Sequence, residues 1–246
     1  MQKISIIIAV YNGAKFIQQT IDSLLSQTYS DFEIIIIVNC SDDNTMDILK
    51  NVLDERITIY ETNICQLAFN LNFGLLKSQG QYIVRIDADD IAEPTRLAKQ
   101  LNVIETNEFD VVGSNLTYID ENNKVIGEKI YPEKDKDIRK SIFYKSNIAH
   151  PSVIYKKETI LKVGGYMNGK VSEDYDLWLR LMRDQSVRFY NIQEKLTRYR
   201  IHSSQAKGNK YAFAEIAGYM LREAIYQKSI NFFIGSLVYI MKAIFK

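Results

Sequence analysis

The first ninety residues alternate between short apolar runs and segments in which apolar side chains recur with helical spacing. The apolar runs predict four strands, at residues 4–10, 32–38, 57–60 and 82–86. The second run, "FEIIIIV", has almost no polar position, which is typical of a strand buried on both faces of a parallel sheet. The apolar positions that predict the intervening helices are Ile17, Ile21, Leu24, Leu25, Met46, Leu49, Leu53, Ala68, Leu71 and Leu75. This alternation predicts right-handed βαβ units, and therefore an α/β fold with a mostly parallel central sheet flanked by helices.

The pattern changes after residue 94, where strands and helices no longer alternate regularly. An apolar stripe at Leu97, Leu101 and Ile104 predicts a helix, and "SEDYDLWLRLM" predicts another at residues 172–182. The polar turn at residues 120–123 predicts a hairpin. Further strands are predicted at residues 111–118, 152–155, 187–192 and 196–201. From about residue 205 the pattern is helical to the end of the chain.

Three polar loops directly follow predicted parallel strands. They contain Tyr11-Asn12-Gly13, Asn39-Cys40-Ser41-Asp42-Asp43 and Asp87-Ala88-Asp89-Asp90. Because ligands of such sheets gather at the carboxyl ends of the strands, we expect the three loops to converge on one crevice.

The third loop, in the stretch "RIDADD", places three carboxylates within four positions. Carboxylates this close raise one another's pKa and resist full ionisation unless a positive charge is supplied. If side chains alternate along the strand, Arg85 points away from the acids and leaves them uncompensated. The acids are then either solvated or bound to a cation.

Composition excludes several classes of protein. With 246 residues, 46% of them hydrophobic, and a formal net charge of +1, the chain is long enough for one large domain and lacks the basic excess of a nucleic-acid binder. Its two cysteines, Cys40 and Cys65, are too few for a disulfide framework and lack metal-ligand spacing, so we expect reduced thiols and a cytoplasmic protein. No secretory signal and, before residue 229, no membrane-spanning stretch are apparent.

Several separate motifs resemble the family 2 inverting glycosyltransferases, which have the GT-A fold. They are "SIIIAVYNGAKFIQQTIDSLLSQTYSDFEIIIIV", "RIDADD", "SEDYDLWLRL" and "YRIHSSQ", and they occur in the family's order and rough spacing over residues 3–205. The resemblance implies a nucleotide-sugar-binding half at residues 1–118, an acceptor-binding half at 119–205, and a C-terminal helical extension at 206–246.

The resemblance also implies roles for the acids of the third loop. Asp89 is the expected metal ligand, and Asp87 is expected to contact the ribose or the metal. Carboxylates cannot hold a nucleoside diphosphate without a bridging cation, and hard oxygen ligands select Mg²⁺ or Mn²⁺. A solvated acidic turn is the alternative.

The first two loops correspond to the family's nucleotide-base site. Ala9 and Tyr11 lie at the exit of the first strand, where Tyr11 is expected to stack on a pyrimidine; the alternative is a core tyrosine. Asn39 stands where an aspartate usually contacts the base, and its amide can still pair with a uracil edge. Cys40 replaces a glycine, so a positive φ there would be strained, and we interpret it as a packing residue.

Glu173 and Asp174 match the family's acidic pair at the start of a helix. Asp174 is the expected general base, favoured in its ionised form by the helix N-terminus; the alternative is that these acids only populate a first helical turn. His202 is the expected third metal ligand. Trp178 lines either the acceptor site or the core, and His150 is a further candidate near the donor sugar and acceptor.

The tail, "SINFFIGSLVYIMKAIFK" at residues 229–246, predicts an amphipathic helix with lysines at its ends. It is expected to contact the inner face of the membrane, or else to pack on the domain or in a homodimer.

The resemblance implies transfer of a hexose or N-acetylhexosamine from a UDP-linked donor to a glycan or polyprenyl-diphosphate-linked acceptor, in surface polysaccharide or O-antigen synthesis. The alternatives are an inactive nucleotide- or glycan-binding module and a nucleotidyltransferase, although the first loop offers only Gly13 and Lys15 for a triphosphate.

Overall fold

The computed structural model describes residues 3–167, 169–202 and 210–245, which form an α/β molecule around one sheet. The strands of these residues are β1 Ile4–Val10, β2 Phe32–Asn39, β3 Ile57–Thr62, β4 Tyr82–Arg85, β5 Ile91–Ala92, β6 Val111–Ile119, β7 Val125–Lys129, β8 Ile154–Lys156 and β9 Phe189–Arg200. Their helices are α1 Ile17–Leu25, α2 Thr45–Lys50, α3 Leu67–Lys77, α4 Arg96–Thr106, α5 Asp135–Ser141, α6 Lys157–Lys162, α7 Glu173–Leu181, α8 Lys210–Tyr226 and α9 Ile230–Phe245.

The sheet has the strand order β3-β2-β1-β4-β8-β6-β9-β5, with β7 paired to β6. The first four strands pair in parallel, as the alternation of strands and helices predicts. Every residue of β2 is buried, which explains why its sequence has no polar face. The antiparallel pairings lie in the second half, where β8 pairs with β4 and β6, and β7 and β5 pair with β6 and β9.

The two strands predicted at residues 187–192 and 196–201 are one continuous strand, β9, which pairs in parallel with β6. The polar residues that separate the two apolar runs, Gln193 to Lys195, lie where the register with β6 shifts at Ser114 and Asn115. The amide of Asn115 donates to the carbonyl of Gln193 at 2.7 Å. A bulge thus absorbs the polar interruption without ending the strand.

The core is divided by the sheet into two hydrophobic clusters. One lies mainly against α1 and α4, and the other against α3, α7 and the C-terminal helices. The predicted α/β fold, with helices on a mostly parallel sheet and a C-terminal helical extension, is confirmed. The predicted boundary between residues 205 and 206 lies outside the described residues.

Helix α9 packs on the protein with only one of its faces. Phe232, Gly235, Ser236 and Tyr239 are buried, and the hydroxyl of Ser236 donates to the carbonyl of Ala217 in α8 at 2.9 Å. The opposite face consists of apolar side chains that are between 41% and 74% exposed, namely Ile230, Phe233, Ile234, Leu237, Ile240, Met241, Ile244 and Phe245. Among the described residues, no helix combines the length and the apolar character needed to cross a bilayer.

Candidate active site

A cleft of about 990 Å³ opens at the carboxyl ends of β1 and β4. Most of the predicted site residues line it, namely Ala9, Tyr11, Asp87, Asp89, His150, Glu173, Asp174 and His202. Residues from both halves of the chain therefore meet in one cavity, as expected from the position of the loops.

The second loop does not reach the cleft, contrary to the expected convergence of three loops. Instead it supports the first loop: Asn12 bonds through its backbone N–H to the Ser41 hydroxyl at 3.0 Å and through its amide to Asp42 at 2.7 Å. The carboxylate of Asp43 accepts the Ala14 backbone N–H at 3.0 Å. Asn39, at the end of β2, is buried and is not among the residues that line the cavity. Its contact with the base stays a prediction.

Cys40 and Cys65 are joined by a disulfide, so the expectation of reduced thiols is wrong. Cys40 follows β2 and Cys65 precedes α3, and the fold brings their Cα atoms to 5.8 Å. The bond thus closes the segment that contains α2 and β3. Cys40 also has a φ of 53°, in the left-handed region that favours glycine.

Arg85 compensates the acids of "RIDADD", so the expectation that it points away from them is wrong. Its side chain is 1% exposed and forms an ion pair with Asp87. The strand β4 ends at Arg85, so the alternation of side chains does not continue into the acids. The guanidinium also donates to the backbone carbonyl of Ile86, which fixes it beneath the loop.

The three acids of this loop are close enough to share a cation. One carboxylate oxygen from each of Asp87, Asp89 and Asp90 lies within 4.8 Å of the others. Burial raises the pKa of Asp87, although the charge of Arg85 opposes this, and burial raises the pKa of Asp90 well above its usual value. Asp90 is fully buried and accepts the backbone N–H of Arg200 at 2.8 Å, whereas Asp87 and Asp89 face the cleft. Asp90 therefore supports the loop, and Asp87 and Asp89 are the acids available to a ligand.

His202 joins this group from the end of β9. Its Nε2 atom lies 2.8 Å from Oδ2 of Asp89, and its ring centroid lies 5.3 Å from that of Phe16. An imidazole and two carboxylates, all facing one cavity, form a donor set suited to Mn²⁺ or Mg²⁺. The remaining residues of the motif, Ser203 to Gln205, lie outside the described residues.

Arg200 is a site residue that sequence reasoning missed, because strand arginines are usually solvated. It is fully buried, and its guanidinium lies 4.4 Å from the Phe16 ring. Its Nε donates to the backbone carbonyl of Asp89 at 2.8 Å. Its Nη atoms donate to the carbonyl of Asp120, to Asn123 and to Gln19. The only sequence signal was the placement of Arg200 two residues before His202.

Glu173 and Asp174 begin helix α7 on the other side of the cavity. Burial, and then the charge of Asp174, raises the pKa of Glu173 to about 8. Burial raises the pKa of Asp174 to about 6, although its Oδ1 accepts the Tyr175 backbone N–H at 2.7 Å. Burial therefore outweighs the stabilisation of the ionised form that we expect from the helix N-terminus. At neutral pH Asp174 is ionised and Glu173 retains its proton.

His150 lies between this acidic pair and the core. Its Nδ1 is 3.8 Å from Oε1 of Glu173, and its Nε2 is 2.8 Å from the hydroxyl of Tyr166. Burial, together with the charge of Arg85, lowers the pKa of His150 well below its usual value. The pair with Glu173 is therefore a contact between two neutral groups at pH 7.

Two alternatives for aromatic residues are resolved by burial. Tyr11 is 60% exposed at the mouth of the cleft, so it is not a core tyrosine. Trp178 is fully buried, and its ring centroid lies 6.2 Å from that of His150, so it belongs to the core and does not line the cleft.

Comparison with known proteins identifies related sequences. The chain is 40% identical to the O-antigen biosynthesis glycosyltransferase WbnJ of Escherichia coli over 252 residues, which cover 100% of this chain and 98% of WbnJ. It is 32% identical over 212 residues to the E. coli UDP-Glc:alpha-D-GlcNAc-diphosphoundecaprenol beta-1,3-glucosyltransferase WfaP, covering 86% of this chain and 82% of WfaP.

Solved structures resemble the fold at low sequence identity. S. aureus TarS 1-349 in complex with UDP-GlcNAc has a TM-score of 0.73 and 18% identity, covering 91% of this chain and 66% of TarS 1-349. The mannosyltransferase PcManGT from Pyrobaculum calidifontis, in complex with GDP-Man and Mn²⁺, has a TM-score of 0.70 and 15% identity, covering 98% of this chain and 69% of PcManGT. This likeness confirms the predicted GT-A fold.

The sequence pattern described as glycosyl transferase family 2 matches residues 5–161. The chain therefore belongs to glycosyl transferase family 2.

Proposed function

We propose that the protein is an inverting, metal-dependent glycosyltransferase that moves a hexose or N-acetylhexosamine from a UDP-linked donor to the hydroxyl of a glycan acceptor in O-antigen synthesis. The observation that carries the proposal is the placement of Asp87, Asp89 and His202 in the same cleft as Asp174. Asp87, Asp89 and His202 can hold an anionic leaving group through a divalent cation, and Asp174 can accept a proton.

Asp89 and His202 are the residues that best fit a divalent cation, with Asp87 beside them. Their oxygen and nitrogen donors suit Mn²⁺ or Mg²⁺, and the atoms that would bind the ion already lie close together. When bound, the cation supplies Lewis-acid stabilisation of the charge on the departing diphosphate. The chain's own contribution is to hold these donors in place, which Arg85 does for Asp87 and Arg200 does for Asp89.

Tyr11 and Ala9 are the proposed contacts of the nucleotide base. The exposed ring of Tyr11 at the mouth of the cleft is available for stacking on a pyrimidine. The assignment of uridine is supported by the names of two similar proteins, WfaP and the TarS complex, which specify UDP-glucose and UDP-GlcNAc.

Asp174 is the proposed general base. A single displacement inverts the configuration at the anomeric carbon and requires a carboxylate that accepts the proton of the attacking hydroxyl. Asp174 is ionised at neutral pH, whereas Glu173 holds its proton and is suited to orienting a substrate by donating a hydrogen bond.

The proposed acceptor is a glycan on a lipid diphosphate, presented at the inner face of the membrane. WfaP is named for a diphosphoundecaprenol-linked acceptor. Residues 224–246 contain Lys228, Lys242 and Lys246 and no acidic residue, and α9 exposes a continuous apolar face. Apolar side chains flanked by lysines complement an anionic lipid surface, so this face is the proposed site of peripheral membrane contact.

A screen of UDP-sugars with Mn²⁺ tests the proposal. A donor present at about 100 times its Kd should stabilise the fold by about 2.7 kcal/mol, which raises the melting temperature of a chain this long by about 5–10 °C. The stabilisation should disappear with a chelator, and the stabilising sugar should be transferred to a lipid-diphosphate glycan. Stabilisation without transfer to any acceptor favours an inactive binding module, and no cation-dependent stabilisation by any nucleotide sugar contradicts the proposal.

A further inference from the structure

In the part of the chain that the structure describes, four lysine and arginine side chains line the cleft, and two of them already form ion pairs with carboxylates. Lys15 forms an ion pair with Glu121, and Arg85 forms one with Asp87. The other two are Lys129 and Lys145, and within the described residues neither makes an ion pair with a carboxylate. Both follow residue 118 in the chain, whereas Asp87 and Asp89 precede it.

Lys129 is the last residue of β7, opposite Leu116 of β6, which also lines the cleft. Because side chains alternate along a strand, the preceding Glu128 points to the other face, where it pairs with Lys195 at 2.6 Å. The Nζ of Lys129 lies 6.0 Å from the centroid of the Tyr131 ring. Tyr131 also lines the cleft, where burial raises its pKa and Tyr118 and then Asp174 add to the rise.

Lys145 lies where the rim of the cleft meets helix α9. The residue before it, Tyr144, accepts a hydrogen bond from Lys242 of α9 through its carbonyl at 2.5 Å. One residue earlier, the ring of Phe143 packs on Phe232 of α9 at a centroid distance of 4.8 Å. The segment that carries Lys145 is therefore anchored on the helix whose outer face is apolar.

We infer that Lys129 and Lys145 bind the diphosphate of a lipid-linked acceptor, an inference that rests on the function proposed above. Two ammonium groups at the edge of a cavity match a diphosphate in charge. Their position sets the orientation of the bound acceptor. The lipid chain points toward the apolar face of α9, the diphosphate lies at the two lysines, and the sugar hydroxyl points toward Asp174. The donor's diphosphate is assigned to Asp87, Asp89 and His202, so the inference requires two phosphate sites formed by different residues of the same cleft.

Binding of geranyl diphosphate, measured by calorimetry with UDP and Mn²⁺ at saturating concentrations, tests this inference. Saturation of the donor site leaves only a second diphosphate site to report. The parental protein should bind the probe, and Lys129→Gln/Lys145→Gln should weaken that binding at least about tenfold through the loss of charge-assisted hydrogen bonds. The affinity for UDP should be the same in both proteins.

Lys50→Gln/Lys162→Gln is the matched control, because it removes two exposed positive charges that do not line the cleft. It should bind geranyl diphosphate as the parental protein does. The inference is overturned if Lys129→Gln/Lys145→Gln binds geranyl diphosphate as tightly as the parental protein, or if the parental protein does not bind it. In either case, normal UDP binding leaves the proposed function intact. Weakened UDP affinity in that variant also overturns it, since the lysines would then serve the donor. Failure of the parental protein to bind UDP with Mn²⁺ contradicts the proposed function itself, and with it this inference.

Discussion

His202 and Asp89, which are 113 residues apart in the chain, lie with Nε2 and Oδ2 2.8 Å from each other. The pair joins the end of β9 to the loop after β4, and so connects the two halves of the molecule across the sheet. Arg200 reinforces the same connection by donating to the backbone carbonyl of Asp89. A ligand that binds both side chains therefore depends on the register between distant strands.

If Asp89 and His202 share a cation, each substitution should weaken the affinity for that cation. Asp89→Ala should abolish Mn²⁺-dependent UDP binding, and His202→Ala should weaken the affinity for Mn²⁺ by at least about tenfold, because substitutions even outside the ligand set cost that much. Titration of Mn²⁺ into protein with saturating UDP measures both effects. Asp47→Ala, at an exposed position of α2, is the control and should behave as the parental protein. Unchanged Mn²⁺ affinity in His202→Ala would remove His202 from the proposed site.

The role of Asp174 predicts a pH dependence of transfer. A base acts in its ionised form, and the pKa of Asp174 in the ligand-free protein is raised to about 6, so kcat/KM should rise about tenfold per pH unit below pH 6 and level off above it. Asp174→Asn should lower the rate by a factor of about 10²–10⁴ and leave UDP binding intact.

Glu173→Gln is the paired test, because the pKa of Glu173 is raised to about 8 and the residue keeps its proton at pH 7. A glutamine is uncharged like the protonated acid and still donates a hydrogen bond, so this variant should lose much less activity than Asp174→Asn. If Glu173→Gln is the more damaging of the two, the base has been assigned to the wrong residue.

The elements predicted most accurately from the sequence are those that are buried on both faces, because their residues are almost all apolar. Strand β2 differs from its prediction by one residue, because a strand covered on both faces consists almost entirely of apolar residues. The cleft position of Asp87 and Asp89 was predictable for a similar reason: in parallel sheets, the residue after a strand lies at the ligand-binding edge.

The features that sequence reasoning missed depend on where a strand ends or on which segments meet in space. Arg85 pairs with Asp87 because β4 stops at Arg85, and no local pattern marks that end. Cys40 and Cys65 bond because the end of β2 and the start of α3 are neighbours, which two cysteines 25 residues apart do not reveal. The polar run at Gln193 predicts a break between two strands, whereas in the structure a bulge accommodates it within one strand.

Arg200 should contribute far more to stability than Arg198, although the two alternate on the same strand. Arg200→Met leaves the partly buried carbonyl oxygens of Asp89 and Asp120 without their donor, at a total cost of about 1–3 kcal/mol. Arg198 is 43% exposed and pairs with Glu93 at the surface, so Arg198→Met should cost at most about 1 kcal/mol. Urea unfolding midpoints measure the difference. Similar losses in both variants would mean that the buried hydrogen bonds of Arg200 add little.

The outer face of α9 should bind anionic membranes. Ile234→Glu/Leu237→Glu places two charges on this face, at positions that are 43% and 47% exposed, and therefore should not disturb the packed side of the helix. The parental protein should sediment with vesicles of phosphatidylcholine and phosphatidylglycerol, and more weakly with phosphatidylcholine alone, because the flanking lysines favour anionic lipid. The double variant should lose at least about tenfold in vesicle affinity, since burying each aliphatic side chain is worth about 1.5–3 kcal/mol.

Leu53→Glu/Leu76→Glu is the matched control for this face, because it charges two leucines that are 95% and 77% exposed on other parts of the surface. It should bind vesicles as the parental protein does. Equal vesicle binding by the α9 variant and the control would show that this face does not contact lipid. Sedimentation velocity then tests the alternative that a second copy of the chain covers this face. A parental dimer that becomes a monomer in Ile234→Glu/Leu237→Glu, without vesicle binding by either protein, would assign the apolar face to a homodimer contact.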